Sequence, residues 1–231
     1  MGKFETLKDI LQNKSFNPNY CLEYDKGKIE DDKFYAIPMV CFCDIPLSQI
    51  GEHIKDYGHY AVGMSKKWAG QKVSPIIYYK DKKSLAKAIY DQMKNKCKDR
   101  TDEKQSLLYF SLLKQYYGQT WSVSKNNGQG GYRKKVLYNE REWRFVPRTL
   151  KVDDMVLKVK DYDDLIDRPT NIAVKKVELS FTISDINFII IDSENERIPL
   201  ITHIITIFGD TDEARKLCSK VLSIKQIKEN F

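Results

Sequence analysis

The 231-residue sequence predicts an α+β fold, and three observations carry that prediction. Apolar runs of strand length, bounded by turn residues, recur at Pro38–Ile45, Val73–Tyr79 and Ile186–Asp192. Stretches with apolar residues at helical spacing lie before and between them, at Glu5–Gln12, Ser84–Cys97 and Asp102–Tyr117. No internal repeat and no linker divides the chain, so it reads as one domain, 1–231, with a helical insertion at about 83–118.

The first helix places Leu7, Ile10 and Leu11 on one face. Asn17-Pro18-Asn19 is a turn, Tyr20–Tyr24 a short strand and Asp25–Lys33 a charged loop. Pro38–Ile45 is a strand ended by Asp44 and Pro46. Ser48 is the expected N-cap of a helix reaching Tyr57, with Gly58 as its stop. Tyr60–Met64 is a strand, Ser65 caps a helical turn through Trp68, and Val73–Tyr79 is the next strand. Two helices follow, the second stopped by Gly118. Ser122–Lys135 reads as the most flexible internal segment, with three glycines, two asparagines and four cations. Val136–Val146 and Val174–Phe181 read as strands, as does Ile186–Asp192 beyond a turn at Ser184-Asp185. Pro199–Phe208 and Thr211–Ser219 read as helices, and Lys225–Phe231 as a fraying tail.

The composition is that of a soluble globular protein, and no apolar run approaches the roughly 18 residues of a membrane helix. The N-terminus is too charged for a signal peptide, which points to a cytoplasmic protein without a membrane partner. The five cysteines lack disulfide spacing and read as free thiols, mostly buried. Net charge is +7 and uneven: Lys72–Arg100 holds nine cations against three acids, Asp153–Asp167 six aspartates against two lysines. The two segments are solvated faces, or the basic one attracts a polyanion such as nucleic acid.

The most informative stretch is Tyr138-Asn139-Glu140-Arg141-Glu142-Trp143-Arg144-Phe145-Val146-Pro147. On a strand, alternate residues share a face. Glu140, Glu142 and Arg144 then point one way, and Arg141, Trp143 and Phe145 the other. Charges are almost never buried unpaired, so the first face is solvent surface or lines a site. Asp44, at the break after Cys43, and the polar and aromatic run Glu52–Tyr60 with His53, Tyr57 and Tyr60 are further candidates. Each also has a plainer reading: a turn former, a surface helix residue, a cross-strand ion pair. A metal is not expected, because Cys41-x-Cys43 with His53 or His59 lacks a second ligand pair. No Cys–His nucleophile is specified, and Gly128, Gly130 and Gly131 do not precede a helix as a phosphate loop does.

The order MVCFCDIPLS, EHIKDYGHYAVGMSKKW, SPIIYY, NEREWRFVP resembles the AbiGi family of bacterial abortive-infection proteins over roughly residues 4–195. That resemblance implies the antitoxin half of a two-gene phage-defence system whose partner is a toxin protein of nucleotidyltransferase type. A more distant resemblance is to ADP-ribosyltransferases that modify DNA or RNA. It implies a split mixed β-sheet holding nicotinamide adenine dinucleotide (NAD), with the catalytic glutamate on a late strand and a substrate-selecting loop before it. Glu142 then stabilises an oxocarbenium-like transition state and Glu140 positions the acceptor. Arg144, Asp44, Tyr57, Tyr60 and His53 line the cofactor, with Tyr57 or Tyr60 stacking on nicotinamide. Tyr132, Arg133 and Lys134, in the loop Lys125–Lys135, meet the substrate, where cations suit a phosphate backbone. The His-Phe-Thr-like motif of an early strand in that superfamily is absent or lies upstream of Met1, after which the chain is already nearly helical. Its absence would favour a fold reused for binding.

Overall fold

The computed structural model describes residues 1–25, 33–80, 88–89, 91–92, 95, 102, 106, 108–109, 111–123, 130–151, 154, 157–158, 174 and 176–230. Its strands, in chain order, are β1 (Ser15–Phe16), β2 (Asn19–Asp25), β3 (Lys33–Cys43), β4 (Ala61–Met64), β5 (Ser74–Pro75), β6 (Ile77–Tyr79), β7 (Leu113–Gln115), β8 (Tyr117–Val123), β9 (Gly130–Val136), β10 (Glu142–Phe145), β11 (Leu157–Lys158), β12 (Leu179–Ser180), β13 (Ile186–Ile191) and β14 (Val221–Ser223). Its helices are α1 (Phe4–Asn13), α2 (Ile50–Tyr57), α3 (Lys66–Lys72), α4 (Arg197–Phe208), α5 (Asp212–Cys218) and α6 (Ile224–Asn230). The class is α+β. Among the described residues, no helix is long and apolar enough to cross a membrane.

The chain forms two compact units, the first from Met1–Phe16, Ile45–Lys72 and Leu179–Phe231, the second from Asn17–Asp44 and Val73–Glu178. The segments interleave, so no single linker separates the units and none shows in the sequence.

The first unit is built on β13, the central strand of β14-β13-β4, parallel to β14 and antiparallel to β4. Its apolar run suits a strand covered on both faces, and Ile186, Ile189, Ile190 and Ile191 are all buried. Helix α1 buries Leu7 and Leu11, and α4 buries Leu200 and Ile204, each pair one turn apart. Thr211 caps α5 by accepting from the Ala214 N–H, and Ser65 accepts from the Trp68 N–H, both as the sequence suggests. Ser48 does not cap α2: it lies inside a 3-10 turn, Leu47–Gln49, that leads into the helix. The helix ends at Gly58, whose φ of 91° only glycine tolerates readily. The described C-terminal residues, up to Asn230, are helical, not frayed. They form α6, whose Ile224 and Ile227 join Ile50, Ile54 and Ile190 in one apolar cluster.

The second unit holds an antiparallel sheet in the order β11-β3-β10-β5, with β2 also paired to β3. Every described residue between 88 and 109 is helical. The second helix does not reach Tyr117. Leu113–Gln115 leaves it to pair in parallel with Ile77–Tyr79, a tertiary pairing that overrides helical spacing. Gly118 sits within β8, where a side chain would collide with Leu137. Val73–Tyr79 is two short strands with different partners, β5 on β10 and β6 on β7. Part of the expected flexible segment is strand, because β9 pairs antiparallel with β8, and 124–129 lie outside the described residues. Of the described residues of Val174–Phe181, only Leu179–Ser180 is strand, paired with β1 in the first unit.

Candidate functional site

The expected strand Val136–Val146 is broken at its centre, and the break assembles the site. Leu137–Glu140 is a 3-10 turn, and Arg141 takes a left-handed conformation, φ 44° and ψ 52°. Strand β10 starts only at Glu142, which pairs with Cys43, as Arg144 does with Cys41. Glu142 and Arg144 share one face of the strand, and that face is buried. Arg144 is 1% exposed, and Glu140 and Glu142 are each 4% exposed, whereas Trp143 and Phe145 on the opposite face are half-buried. The charged face is therefore neither solvent surface nor unpaired.

Its partners arrive from four other elements. Arg144 Nε donates to Glu142 Oε1 at 2.6 Å and Nη2 to Glu142 Oε2 at 3.2 Å, a bidentate pair. Nη2 also donates to Glu23 on β2 at 2.7 Å, and Nη1 to the Ser111 carbonyl at 2.6 Å. Lys114 on β7 donates to Glu142 at 2.5 Å and to Glu140 at 3.2 Å. Lys135 on β9 donates to Glu140 at 2.8 Å. Three carboxylates face three cations, so the cluster is formally neutral. The left-handed turn at Arg141 lets Glu140, which is not on the strand, rejoin Glu142 through Lys114. The Glu142 N–H donates to the Tyr78 hydroxyl at 3.0 Å.

The electrostatics follow from this pairing. Burial alone raises a carboxyl pKa, but Arg144 and Lys114 overcome it and hold Glu142 down at about 2. Burial disfavours charge on Lys114 and on Arg144 too, yet their carboxylate neighbours hold both above their ordinary values. Burial lifts the Tyr78 hydroxyl to about 12, and burial with Glu140 and Glu142 lifts the Cys43 thiol to about 12. A carboxylate so fully compensated is ionised at neutral pH and poorly matched to proton transfer there, which asks for a pKa near the working pH. The cluster can hold five elements together and fix the start of β10.

Asp44 is half-buried, and its N–H donates to the Arg141 carbonyl at 3.2 Å, beside the cluster. His53, Tyr57 and Tyr60 belong to the first unit. There the His53 ring stacks on Tyr57 with centroids 4.4 Å apart, and the Tyr60 hydroxyl donates to Glu196 at 2.6 Å. Burial and Glu196 raise the Tyr60 pKa. Tyr132, Arg133 and Lys134 lie on β9, not in a loop, and Lys134 is exposed. Among the described cysteines, Cys21, Cys41, Cys43 and Cys218 are free. Three are half-buried and Cys41 is exposed, so burial is less complete than expected. Glu23, Lys114, Lys135, Ser111 and Tyr78 escaped the sequence reading. Lys114 left one trace, a lone cation within the apolar run Leu107–Leu113 to Tyr117.

A family profile described as abortive phage resistance protein AbiGi, antitoxin, matches residues 14–192, a span that contains the whole ion cluster. The abortive phage resistance protein AbiGi of Lactococcus lactis subsp. cremoris is 27% identical over 249 aligned positions, covering 94% of this chain and 100% of that protein. Neither match concerns ADP-ribosyltransferases, and no solved structure matches the chain. The chain belongs to the AbiGi family of abortive phage resistance antitoxins.

Proposed function

We propose that this protein acts as an antitoxin by holding its cognate toxin protein in a stable complex, with no bond-making step at Glu142. One observation carries the reading. The residue best suited by type and position to catalysis is 4% exposed, and both its oxygens are engaged by Arg144 and Lys114. Such a group organises a fold more readily than it meets a substrate. The test is co-expression with the toxin of the same two-gene system. The expected result is a complex that survives size exclusion and restores growth. Growth restored without any complex, even after cross-linking, contradicts the reading.

A second reading keeps NAD-dependent ADP-ribosyl transfer to nucleic acid or protein, on a split-sheet fold. It rests on Glu142 heading a strand opposite Cys43, with Asp44 next along the chain. The residues fit NAD poorly as arranged. Arg144 is buried and bound to Glu142, Glu23 and Ser111. This reading therefore requires Arg144 and Lys114 to release Glu142 before it could face a ribose. Label transferred from NAD by the wild type, and lost in a folded Glu142→Gln variant, would establish it.

A further inference from the structure

Four tyrosines of the second unit converge where β6, β7, β8 and the 3-10 turn Leu137–Glu140 meet. Tyr116 and Tyr138 stack with centroids 5.1 Å apart and planes 14° from parallel. Tyr78 meets Tyr138 edge-on at 5.3 Å, and Tyr117 meets Tyr116 edge-on at 4.7 Å. Lys80 places its ammonium 5.4 Å from the Tyr116 ring centre. Backbone bonds hold the group: the Tyr116 N–H donates to the Tyr79 carbonyl, and the Leu137 N–H to the Tyr116 carbonyl. The Tyr78 hydroxyl ties it to the buried ion cluster by accepting from the Glu142 N–H.

Core packing does not account for this group, because Tyr117 is 58% exposed and Tyr138 44% exposed. Two cations lie beside it, Lys80 over the Tyr116 ring and exposed Lys134 on the hairpin, in a unit that is itself basic. The second unit holds 26 of the 39 Lys and Arg but 20 of the 32 Asp and Glu, so it carries +6 of the net +7. Exposed Lys134 is two residues from Val136, the partner of Tyr117 in the hairpin, and so lies on the Tyr117 face. Aromatic rings rigidly held at a surface, with ammonium groups alongside, match a strand whose bases stack and whose phosphates are neutralised. A duplex keeps its base faces covered and offers such rings nothing to stack on.

We propose that the Tyr78–Tyr138–Tyr116–Tyr117 cluster, with Lys80 and Lys134, is a stacking platform for single-stranded nucleic acid. The test is fluorescence anisotropy of the full-length protein with labelled oligouridine RNA, oligothymidine DNA and a duplex, each about 20 nucleotides long. Single strands are expected to bind at least about tenfold tighter than the duplex, with Tyr117→Ala costing about tenfold or more. Lys80→Ala is expected to weaken binding and to flatten the logarithmic salt dependence by about 0.7. Ile198→Ala, at an exposed residue of the other unit, is expected to change neither, and equal melting temperatures check that all variants fold. The RNA and DNA arms distinguish the two sources of strand. The proposal is overturned if neither strand binds at low salt, if the duplex binds equally well, or if Tyr117→Ala and Lys80→Ala bind like wild type. Loss of toxin binding in Tyr117→Ala, with no strand bound by the wild type, would make the tyrosines a protein contact instead.

Discussion

Replacing Glu142 by glutamine removes one charge from a neutral, buried cluster and leaves Arg144 and Lys114 short of a counter-ion. The structure allows two independent estimates of the cost. Breaking a buried ion pair from one side costs about 3–5 kcal/mol. The carboxyl is held at about 2 against an ordinary value of 4.5, and that difference corresponds to roughly 3 kcal/mol at 1.36 kcal/mol per pH unit. The two agree, and either is a large part of a typical stability of about 5–15 kcal/mol. The sign follows from the depressed pKa: this contribution is full above pH 4.5 and is lost as pH falls toward 2. The assay is denaturant unfolding from neutral pH down to about 3, followed by tryptophan fluorescence. Trp143 lies beside the cluster and Trp68 in the other unit, so paired single-tryptophan proteins separate the two transitions. Glu142→Gln is expected to lower the melting temperature of the second unit by roughly 6–20 °C and to flatten its acid slope. A loss below about 1 kcal/mol, with the acid slope intact, would refute the structural role, because the pair would then be no stronger than a surface salt bridge.

Four further outcomes are expected. Lys114→Met takes a shared cation from Glu140 and Glu142, so acid unfolding should begin at higher pH, with a cost of about 1–3 kcal/mol at neutral pH. Arg141 is left-handed, so Arg141→Gly should be neutral or gain up to about 1 kcal/mol, while Arg141→Val should lose about 1–2 kcal/mol; thermal melts compare them. Gly63→Ala drives a methyl into the Phe188 ring across β4 and β13 and should cost about 1–3 kcal/mol in chemical denaturation. Ile227→Ala opens the cluster of Ile50, Ile54, Ile190 and Ile224 and should cost about 2–4 kcal/mol, whereas a frayed tail would lose nothing.

What the sequence reveals and what it hides divide along physical lines. The run Ile186–Ile191 and the caps Thr211 and Ser65 are local signals, and the fold keeps them. Leu113–Gln115 looks helical, because the parallel partner that makes it a strand lies more than thirty residues earlier at Ile77–Tyr79. The alternation of Glu142 and Arg144 identifies a shared face. It cannot say that Glu23, Lys114 and Lys135 come to meet that face from three other strands. Nor does any local rule place a left-handed arginine at 141, the residue that carries Glu140 off the strand and back into the cluster. The tail hides its structure for the same reason: Lys225–Phe231 is polar by composition, but Ile224 and Ile227 have apolar partners remote in sequence.

The proposal that Glu142 holds the second unit together and takes no part in chemistry can be tested directly. The most direct test incubates labelled NAD with bacterial lysate and either the wild type or Glu142→Gln, with the folded fraction of each measured in parallel. The account expects no label on protein or nucleic acid from either one, and a Glu142→Gln protein markedly less stable. Label transferred by the wild type and not by a Glu142→Gln protein that is still fully folded would contradict it.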